Sequence, residues 1–256
     1  MGVFMSKSWM MFGASSLSAC RDRALSLLFP ETCQICRQES AKYADGYVCS
    51  LCWKRLRFLR HPFCERCGLP FDGEVFSTFR CTNCRDQKFV FRAARAAVIA
   101  NEFSLNLIHQ YKYGRAMWLE KVLADLLWDQ LGVLGMRGDW DLVVPVPLFS
   151  AKKREREFNQ AERIGGIIAE RLGIPMDGGV VKRVAPTGSQ TMLTRSERRK
   201  NVQSAFAVGI RRPLKGLRLM LVDDVFTTGA TTNACARVLK KLGATDIQVC
   251  TVVRGL

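Results

Sequence analysis

The sequence predicts an α/β domain, a mostly parallel sheet with helices on both faces, preceded by a small domain that metal ions hold together. From about residue 93 onward, short apolar runs of strand length alternate with segments of helical periodicity, an order typical of βαβ units. Before that point, eight of the eleven cysteines fall into C-x-x-C pairs, a spacing typical of structural zinc sites. We expect an N-terminal extension over residues 1–30, the metal-binding domain over residues 31–88 and the α/β domain over residues 93–256.

The composition is that of an ordinary folded protein with an excess of positive charge. The 256 residues are 48% hydrophobic and 24% charged, and the net charge is +16, which suits one α/β domain and a smaller one. The excess is concentrated in residues 150–215, which hold 15 basic and 6 acidic residues. We expect a polyanionic ligand, a nucleic acid or both near this segment.

The N-terminal extension carries little information. Its apolar stretch, residues 9–18, is too short to cross a bilayer, so we predict no transmembrane segment. Residues 17–20 superficially resemble a lipoprotein cleavage site, and a start at Met5, Met10 or Met11 is an alternative reading of this region. We expect a cytoplasmic protein, because free thiolates require a reducing compartment.

The cysteine pairs are separated by 12, 11 and 13 residues, and each thiolate pair fills half of a tetrahedral metal site. This spacing predicts two structural zinc ions rather than a disulfide framework. Sequence order suggests one ion on the first two pairs and one on the last two, although an interleaved pairing stays open. The eight proposed ligands are Cys33, Cys36, Cys49, Cys52, Cys64, Cys67, Cys81 and Cys84.

A run of aromatic and basic residues lies between the second and third cysteine pairs. On a surface that binds single-stranded nucleic acid, aromatic rings stack on bases while Lys and Arg hold phosphates. The alternative is an amphipathic helix in which Leu56 and Leu59 pack and the basic groups are solvated. The candidate nucleic-acid contacts are Trp53, Lys54, Arg55, Arg57, Phe58 and Arg60.

The α/β domain begins with a strand over residues 93–100, followed by helices over residues 105–113 and 119–131 and a loop over residues 132–138. His109 is interpreted as a partly buried helix residue rather than a catalytic one.

A buried strand over residues 141–147 ends in prolines and leads into a basic loop. A strand end that delivers basic groups beside a phosphate site suits a pyrophosphate, for which the candidates are Lys152, Lys153 and Arg156. The alternative is a solvated start of the helix predicted over residues 159–172.

The last part of the domain carries the strongest functional signal. A buried strand over residues 217–222 is followed by Asp223 and Asp224 and then by a helix over residues 232–242. Adjacent carboxylates at the carboxyl end of a strand suit a diol or a metal ion. The intervening loop offers hydroxyls, a glycine and consecutive N–H groups at a helix N-terminus, which together form a phosphate cup. The candidate cup residues are Thr227, Thr228, Gly229, Ala230 and Thr231.

An acid pair followed by a phosphate cup predicts a site for a ribose 5-phosphate. The alternative is an ordinary capped βα turn. Residues 222–231 resemble the phosphoribosyl pyrophosphate (PRPP) motif of type I phosphoribosyltransferases, and residues 29–256 resemble the ComF family, some of whose members act in bacterial DNA uptake. The resemblance implies a type I phosphoribosyltransferase fold behind a double zinc ribbon. It also implies that Asp223 and Asp224 hold the ribose hydroxyls, that the loop holds the 5-phosphate, and that Mg²⁺ accompanies PRPP.

Two further stretches carry the resemblance. Residues 145–161 are similar to a family segment in which a glycine stands where this chain has Glu157; the replacement removes a residue tolerant of positive φ and adds a negative charge beside an anion loop. Residues 183–202 resemble the mobile loop that closes over PRPP. This resemblance makes Lys200 or Arg195 the candidate catalytic contact to the departing pyrophosphate.

The resemblance leaves two functions open. One is an enzyme that transfers phosphoribose from PRPP. The other is a non-enzymatic module that binds single-stranded DNA under the control of PRPP. In either case it implies a DNA-uptake context and a protein of the competence machinery as a further partner.

Overall fold

The computed structural model describes residues 32–41, 47–73, 79–185, 204–210 and 212–256. The chain divides after Trp53 into two compact units. The first two cysteine pairs therefore lie in one unit, and the last two lie in the same unit as the α/β domain. The predicted limits at residues 88 and 93 do not coincide with this division.

The described part of the first unit is a cysteine-rich loop structure. The N–H of Cys33 donates to the Glu39 carbonyl at 2.7 Å, and Arg37, at φ 56°, donates back to the Cys33 carbonyl at 2.8 Å. The short helix α1, Ser50–Lys54, begins after Cys49 and contains Cys52, and the division falls within it.

The second unit is built on a five-stranded sheet in the order β1-β2-β7-β6-β3. Strands β2, β7, β6 and β3 run parallel, and the short edge strand β1 is antiparallel to β2. The parallel strands are buried over most of their length, as expected when helices cover both faces. Their bounds are Arg57–Phe58 for β1, Ala93–Ile99 for β2, Leu142–Pro145 for β3, Arg218–Phe226 for β6 and Asp246–Arg254 for β7.

Helices cover the two faces of this sheet. On one face, α4 contacts β2 and β7 and α6 contacts β3 and β6; on the other, α7 contacts β6 and a separate two-stranded antiparallel sheet. That small sheet pairs β4, Val181–Arg183, with β5, Phe206–Val208. The helices are α2 (Thr82–Asp86), α3 (Glu102–Tyr113), α4 (Leu119–Val133), α5 (Ser150–Arg156), α6 (Gln160–Leu172) and α7 (Ala230–Lys241).

Local chemistry explains where the helices beside the site begin. Asn101 caps α3 in a reciprocal capping box with Ser104, which satisfies two N–H groups of the first turn. Asn159 caps α6 by accepting from the Ala161 N–H, and its own amide donates to the Val146 carbonyl at the end of β3. The start of α6 is thereby fixed against the carboxyl edge of the sheet.

The strand that carries the acid pair is longer than predicted. β6 continues to Phe226, so Asp223 and Asp224 lie within it and not after its end. The reason is its neighbour β7, which pairs with it as far as Phe226 opposite Arg254. On the other side β3 ends at Pro145 opposite Val222, and just beyond it the Val146 N–H donates to the Val222 carbonyl at 2.9 Å. The last residues of β6 therefore extend past β3 at the carboxyl edge of the sheet.

Two other local predictions differ from the structure. The basic segment predicted as a loop forms the short helix α5, consistent with the good helix propensity of its Ala, Lys, Arg and Glu residues. The amphipathic helix offered as an alternative for residues 53–60 is wrong, because the helix ends at Lys54 and β1 follows. Leu56 and Leu59 are nevertheless buried, as that alternative expected. No helix in the described ranges is long and apolar enough to cross a membrane.

Candidate functional site

The first two C-x-x-C pairs, Cys33/Cys36 and Cys49/Cys52, form one cluster in the first unit. Their sulfur atoms all lie within 4.8 Å of one another, with Cys33 and Cys52 Sγ 3.8 Å apart and Cys36 and Cys49 Sγ 3.8 Å apart. Sulfurs at ~2.3 Å from a tetrahedral zinc stand about 3.8 Å from each other. The geometry therefore fits zinc, and the pairing follows sequence order rather than an interleaved one.

The last two C-x-x-C pairs, Cys64/Cys67 and Cys81/Cys84, form an equivalent cluster in the second unit, with Cys67 and Cys81 Sγ 3.6 Å apart. The N–H of Cys81 donates to Cys64 Sγ at 3.3 Å, which favours the thiolate form that binds metal. All four cysteines are buried, and they pack in the same hydrophobic cluster as β6 and α7. This second ribbon is consequently part of the α/β unit.

A buried arginine joins the second ribbon to the start of the phosphate cup. Arg254, 4% exposed at the end of β7, donates from Nε to the Cys67 carbonyl at 2.8 Å and from a terminal nitrogen to Cys67 Sγ at 3.6 Å. Its other terminal nitrogen donates to the carbonyls of Phe226 and Thr227, at 3.2 and 3.1 Å, and to that of Gly255. One guanidinium thus fixes the carboxyl end of β6 relative to Cys67, a proposed zinc ligand.

The two acids of β6 have different environments. Asp224 pairs with the Lys112 ammonium of α3 at 2.5 Å. Asp223 accepts from the Asp224 N–H at 2.9 Å. Burial, together with the neighbouring Asp224 charge, raises the pKa of Asp223 to about 7, although Lys112 and Arg183 offset part of the effect. At neutral pH the Asp223 carboxyl therefore titrates, beside the Asp224 carboxylate that pairs with Lys112.

The phosphate cup has the backbone geometry of a helix start. Gly229 caps α7 at φ 75°, and a Cβ there would lie 2.5 Å from the Phe226 ring and 2.9 Å from the Phe89 ring. Only glycine fits this position. The Thr228 hydroxyl accepts from the Ala230 N–H at 3.4 Å. One of the N–H groups that the loop could offer to a phosphate therefore already has a partner in the loop.

One cavity of about 480 Å³ brings most of the predicted residues together at the carboxyl edge. The acid pair, two cup threonines and two of the three predicted pyrophosphate contacts line it: Asp223, Asp224, Thr227, Thr231, Lys152 and Arg156. Lys153 does not line it; its ammonium pairs with Glu162 at 3.3 Å. Thr228 lines a separate cavity of about 220 Å³ beside the second ribbon.

Arg156, which lines the cavity, is held in position by uncharged partners. One of its terminal nitrogens donates to the Tyr113 hydroxyl at 2.6 Å and the other to the Gln160 side-chain oxygen at 3.3 Å. Its guanidinium also lies 4.7 Å from the centre of the Tyr113 ring. Such neutral partners hold a guanidinium without cancelling its charge.

Glu157, which stands where the family segment has glycine, adopts the left-handed backbone conformation that glycine favours. It ends α5 at φ 67°, and its carboxylate pairs with Arg115, itself at φ 51°, at 3.1 Å. The family segment's glycine would adopt this conformation without strain, whereas a side chain costs about 1 kcal/mol or more.

The candidate nucleic-acid residues are placed at the surface around β1. Lys54, Arg55, Arg57, Phe58 and Arg60 are exposed and Trp53 is half-buried. The candidate catalytic residues, Arg195 and Lys200, lie outside the described residues.

Three charged or phenolic side chains of the cavity had no assigned role in the sequence analysis: Lys112, Tyr113 and Arg183. The first two end α3, and the third ends β4. Nothing in the local sequence shows that these helix and strand ends face the acids.

Comparison with known proteins covers both parts of the chain. A model described as a double zinc ribbon domain matches residues 24–86, and one described as a phosphoribosyl transferase domain matches residues 159–256. Competence protein F of Haemophilus influenzae is 31% identical over 220 residues, 83% of this chain and 92% of that protein. DNA utilization protein YhgH of Salmonella typhimurium is 32% identical over 235 residues, 90% of this chain and 100% of that protein. Competence protein ComFC of Streptococcus pneumoniae is 28% identical over 216 residues, 82% of this chain and 89% of that protein.

Proposed function

This chain belongs to the ComF family, and from that premise we propose that it binds Mg²⁺-PRPP at the carboxyl edge of its sheet and transfers the phosphoribosyl group to an acceptor. The phosphoribosyltransferase domain carries the chemistry, and the two Cys₄ sites are structural. The observation that carries the proposal is the convergence of an acid pair, a helix-start phosphate cup and two basic side chains on one cavity.

Each group of residues suits one part of PRPP. The two carboxylates of β6 accept hydrogen bonds from the adjacent ribose hydroxyls, bonds that are stronger than those to neutral acceptors. The N-terminus of α7 and the threonine hydroxyls receive the 5-phosphate. Lys152, Arg156 and Arg183 supply the positive charge for the pyrophosphate, and Mg²⁺ bound to the pyrophosphate neutralises part of its charge.

The reaction needs charge stabilisation more than acid–base chemistry. The bond between ribose C1 and the pyrophosphate oxygen breaks, the acceptor forms a new bond to C1, and both electrons of the broken bond leave with the pyrophosphate. Arg156 and Lys152 line the cavity and are proposed to stabilise that charge, since preorganised cations lower such a barrier. The loop over residues 183–202, with Lys200 or Arg195, is proposed to exclude water from C1.

Binding is tested by titration calorimetry with Mg²⁺-PRPP. An Asp223→Asn, Asp224→Asn double variant keeps the shape but removes both charged acceptors. Charge-assisted hydrogen bonds contribute roughly 1.5–3 kcal/mol each, so affinity should fall about a hundredfold or more. Asp129→Asn, a half-exposed change on α4, is the matched control and should bind as the parent does. Equal affinity in parent and double variant would mean that this stretch is only a capped βα turn.

Turnover is tested separately, by pyrophosphate release from Mg²⁺-PRPP with a panel of nitrogenous acceptors. Release that depends on an acceptor and is lost in Arg156→Gln supports the transferase. Tight PRPP binding with no release across the panel would favour the non-enzymatic alternative.

The second candidate function is binding of single-stranded DNA by the surface around β1. The observation that favours it is the exposure of four basic residues and Phe58 on one short stretch, residues 54–60. Stacking and phosphate contacts from such a surface have little sequence preference. A DNA-uptake role, with a protein of the competence machinery as partner, fits the names of the relatives.

A labelled oligothymidylate tests this surface. We expect weak binding that falls steeply with salt, with a slope of about −0.7 in the log–log plot for each phosphate contact. An Arg57→Gln, Arg60→Gln variant should reduce the slope, whereas Arg237→Gln, exposed on α7, should not. A flat salt dependence or unchanged binding in the first variant would contradict the proposal.

We also propose a cytoplasmic location. Its support is that all ten cysteines in the described ranges are free, and the zinc-fit clusters that eight of them form need a reducing environment.

A further inference from the structure

A second large cleft lies at the opposite edge of the sheet from the PRPP cavity. Its volume is about 690 Å³, and Ala93, Arg218 and Asp246, the first residues of β2, β6 and β7, lie in its wall. Ligands of parallel α/β sheets bind at the carboxyl edge. A cleft of this size at the amino edge is therefore not explained by the transferase fold.

Five arginines line this cleft, which we call the arginine cleft: Arg66, Arg80, Arg92, Arg95 and Arg218. Two of them come from the second zinc ribbon, since Arg66 lies inside the Cys64/Cys67 knuckle and Arg80 precedes Cys81. The ribbon thus forms one wall of the cleft and the amino ends of the strands form the other.

Arg66 and Arg80 are the positive charges of the cleft that no carboxylate within the described ranges pairs with. Arg66 donates to the carbonyls of Arg92, at 2.9 Å, and Phe89, which orient it without neutralising it. An anion bound between two such guanidinium groups forms charge-assisted hydrogen bonds with both.

The other arginines are paired, but the ion pairs of Arg92 and Arg218 are partly exposed to solvent. Arg92 contacts Asp246 at 2.9 Å, and Arg218 contacts both Asp139 and Asp141 at 3.5 Å, with the arginine side chains 60% and 43% exposed. Exposed ion pairs contribute only about 0–1 kcal/mol. A phosphate, which a guanidinium binds through two parallel hydrogen bonds, competes well with such partners. Arg95, which pairs with Glu65 at 3.1 Å and is 11% exposed, stays a wall residue.

The floor of the cleft adds apolar surface. Leu134, Met136 and Trp140 line it, and the Arg92 guanidinium lies 5.7 Å from the centre of the Trp140 ring. Arginines above an apolar floor suit a ligand with both a phosphate and a ring, such as a nucleotide.

We propose that the arginine cleft is a second phosphate-binding site, distinct from the PRPP cavity, which takes the phosphate of a nucleotide unit through Arg66 and Arg80. The nucleotide unit has two sources, a free nucleoside triphosphate or a single-stranded oligonucleotide. The site does not depend on PRPP binding, because none of its residues lines the carboxyl-edge cavity.

The test measures two probes against three variants by fluorescence anisotropy, with a labelled oligothymidylate and a labelled adenosine triphosphate. Arg66→Gln, Arg80→Gln should weaken at least one probe tenfold or more, because two charge-assisted contacts are removed. Arg80→Gln alone should give a smaller loss; Arg80 is exposed, so this variant keeps the fold even if the double variant does not. The matched control, Arg237→Gln, should bind both probes like the parent.

The outcomes distinguish the two sources of the nucleotide unit, and they distinguish this proposal from the PRPP proposal. Loss of the oligonucleotide alone assigns the cleft to nucleic acid, and loss of the triphosphate alone assigns it to free nucleotides. Calorimetry with Mg²⁺-PRPP should give parent affinity in Arg80→Gln, so failure of the PRPP proposal leaves this one intact. Unchanged binding of both probes in Arg80→Gln and in a folded double variant would overturn the arginine cleft as a phosphate site.

Discussion

The raised pKa of Asp223 gives the proposed PRPP site a specific pH dependence. Burial and the Asp224 charge raise that pKa to about 7, so the free protein takes up a proton on Asp223 as the pH falls from 8 to 6. A protonated carboxyl is a weaker acceptor for a ribose hydroxyl than a carboxylate is. PRPP affinity should therefore decrease toward acid pH.

The magnitude follows from the fraction of Asp223 that is ionised. With a pKa of about 7, roughly nine-tenths of the groups are ionised at pH 8 and about one-tenth at pH 6. If only the ionised form binds, the apparent affinity falls about tenfold over this range. At pH 7 binding should release about half a proton per site from Asp223.

Calorimetry with Mg²⁺-PRPP at pH 6, 7 and 8 and constant ionic strength measures this change. The 5-phosphate of the ligand itself titrates with a pKa near ~6, as phosphate monoesters do. Asp223→Asn provides the control, because it keeps the ligand's titration and removes that of the carboxyl. The parent should lose about tenfold more affinity between pH 8 and pH 6 than this variant.

Repeating the titration in buffers of different ionisation enthalpy counts the released protons. The reasoning is refuted if parent and Asp223→Asn show the same pH dependence and the same proton release. That result would mean that Asp223 is either fully ionised in the free protein or not in contact with the ribose.

The remaining predictions concern the metal clusters and the strained turn. Cys33→Ser and Cys64→Ser should each lose one zinc by metal analysis, but only Cys64→Ser should weaken PRPP binding, because its cluster shares a compact unit with the phosphate cup. Arg254→Lys keeps the charge but loses the guanidinium fork; we expect about 1–3 kcal/mol less stability in urea denaturation and weaker PRPP binding. Glu157→Gly should bind pyrophosphate more tightly than the parent by calorimetry, and Glu157→Gln, which keeps the strain, separates the charge effect from the backbone effect.

The features of the fold that the sequence predicted correctly are those encoded in short spacings. Each C-x-x-C pair brings its own two sulfur atoms together, and the predicted strand, loop and helix around residues 217–242 follow one another along the chain. The roles assigned to the acid pair and to the loop stay predictions. Glu157 likewise could be identified from one position as a residue in place of a glycine, and its positive φ of 67° is the conformation that a glycine there would favour.

The features that could not be predicted depend on which strands become neighbours. Lys112 reaches Asp224 because α3 ends above the carboxyl edge, and these residues are far apart in sequence. The length of β6 could not be predicted from its own residues either, since β7 pairs with it as far as Phe226 while β3 pairs with it only as far as Val222. The arginine cleft joins residues of a zinc knuckle to the first residues of three strands, which no local pattern indicates.

The same kind of long-range contact explains why the second ribbon belongs to the α/β unit while the spacing of its cysteines resembles that of the first. A buried guanidinium is costly unless an anion compensates it. Arg254 is 4% exposed, and its contacts in the described residues are carbonyl oxygens and Cys67 Sγ. A Cys₄ zinc site carries net negative charge, so the cluster supplies the compensating charge at the point where Arg254 fixes the Thr227 carbonyl. The second cysteine cluster is thus part of what fixes the loop between β6 and α7, which is the proposed phosphate cup, and the first cluster lies in the other unit.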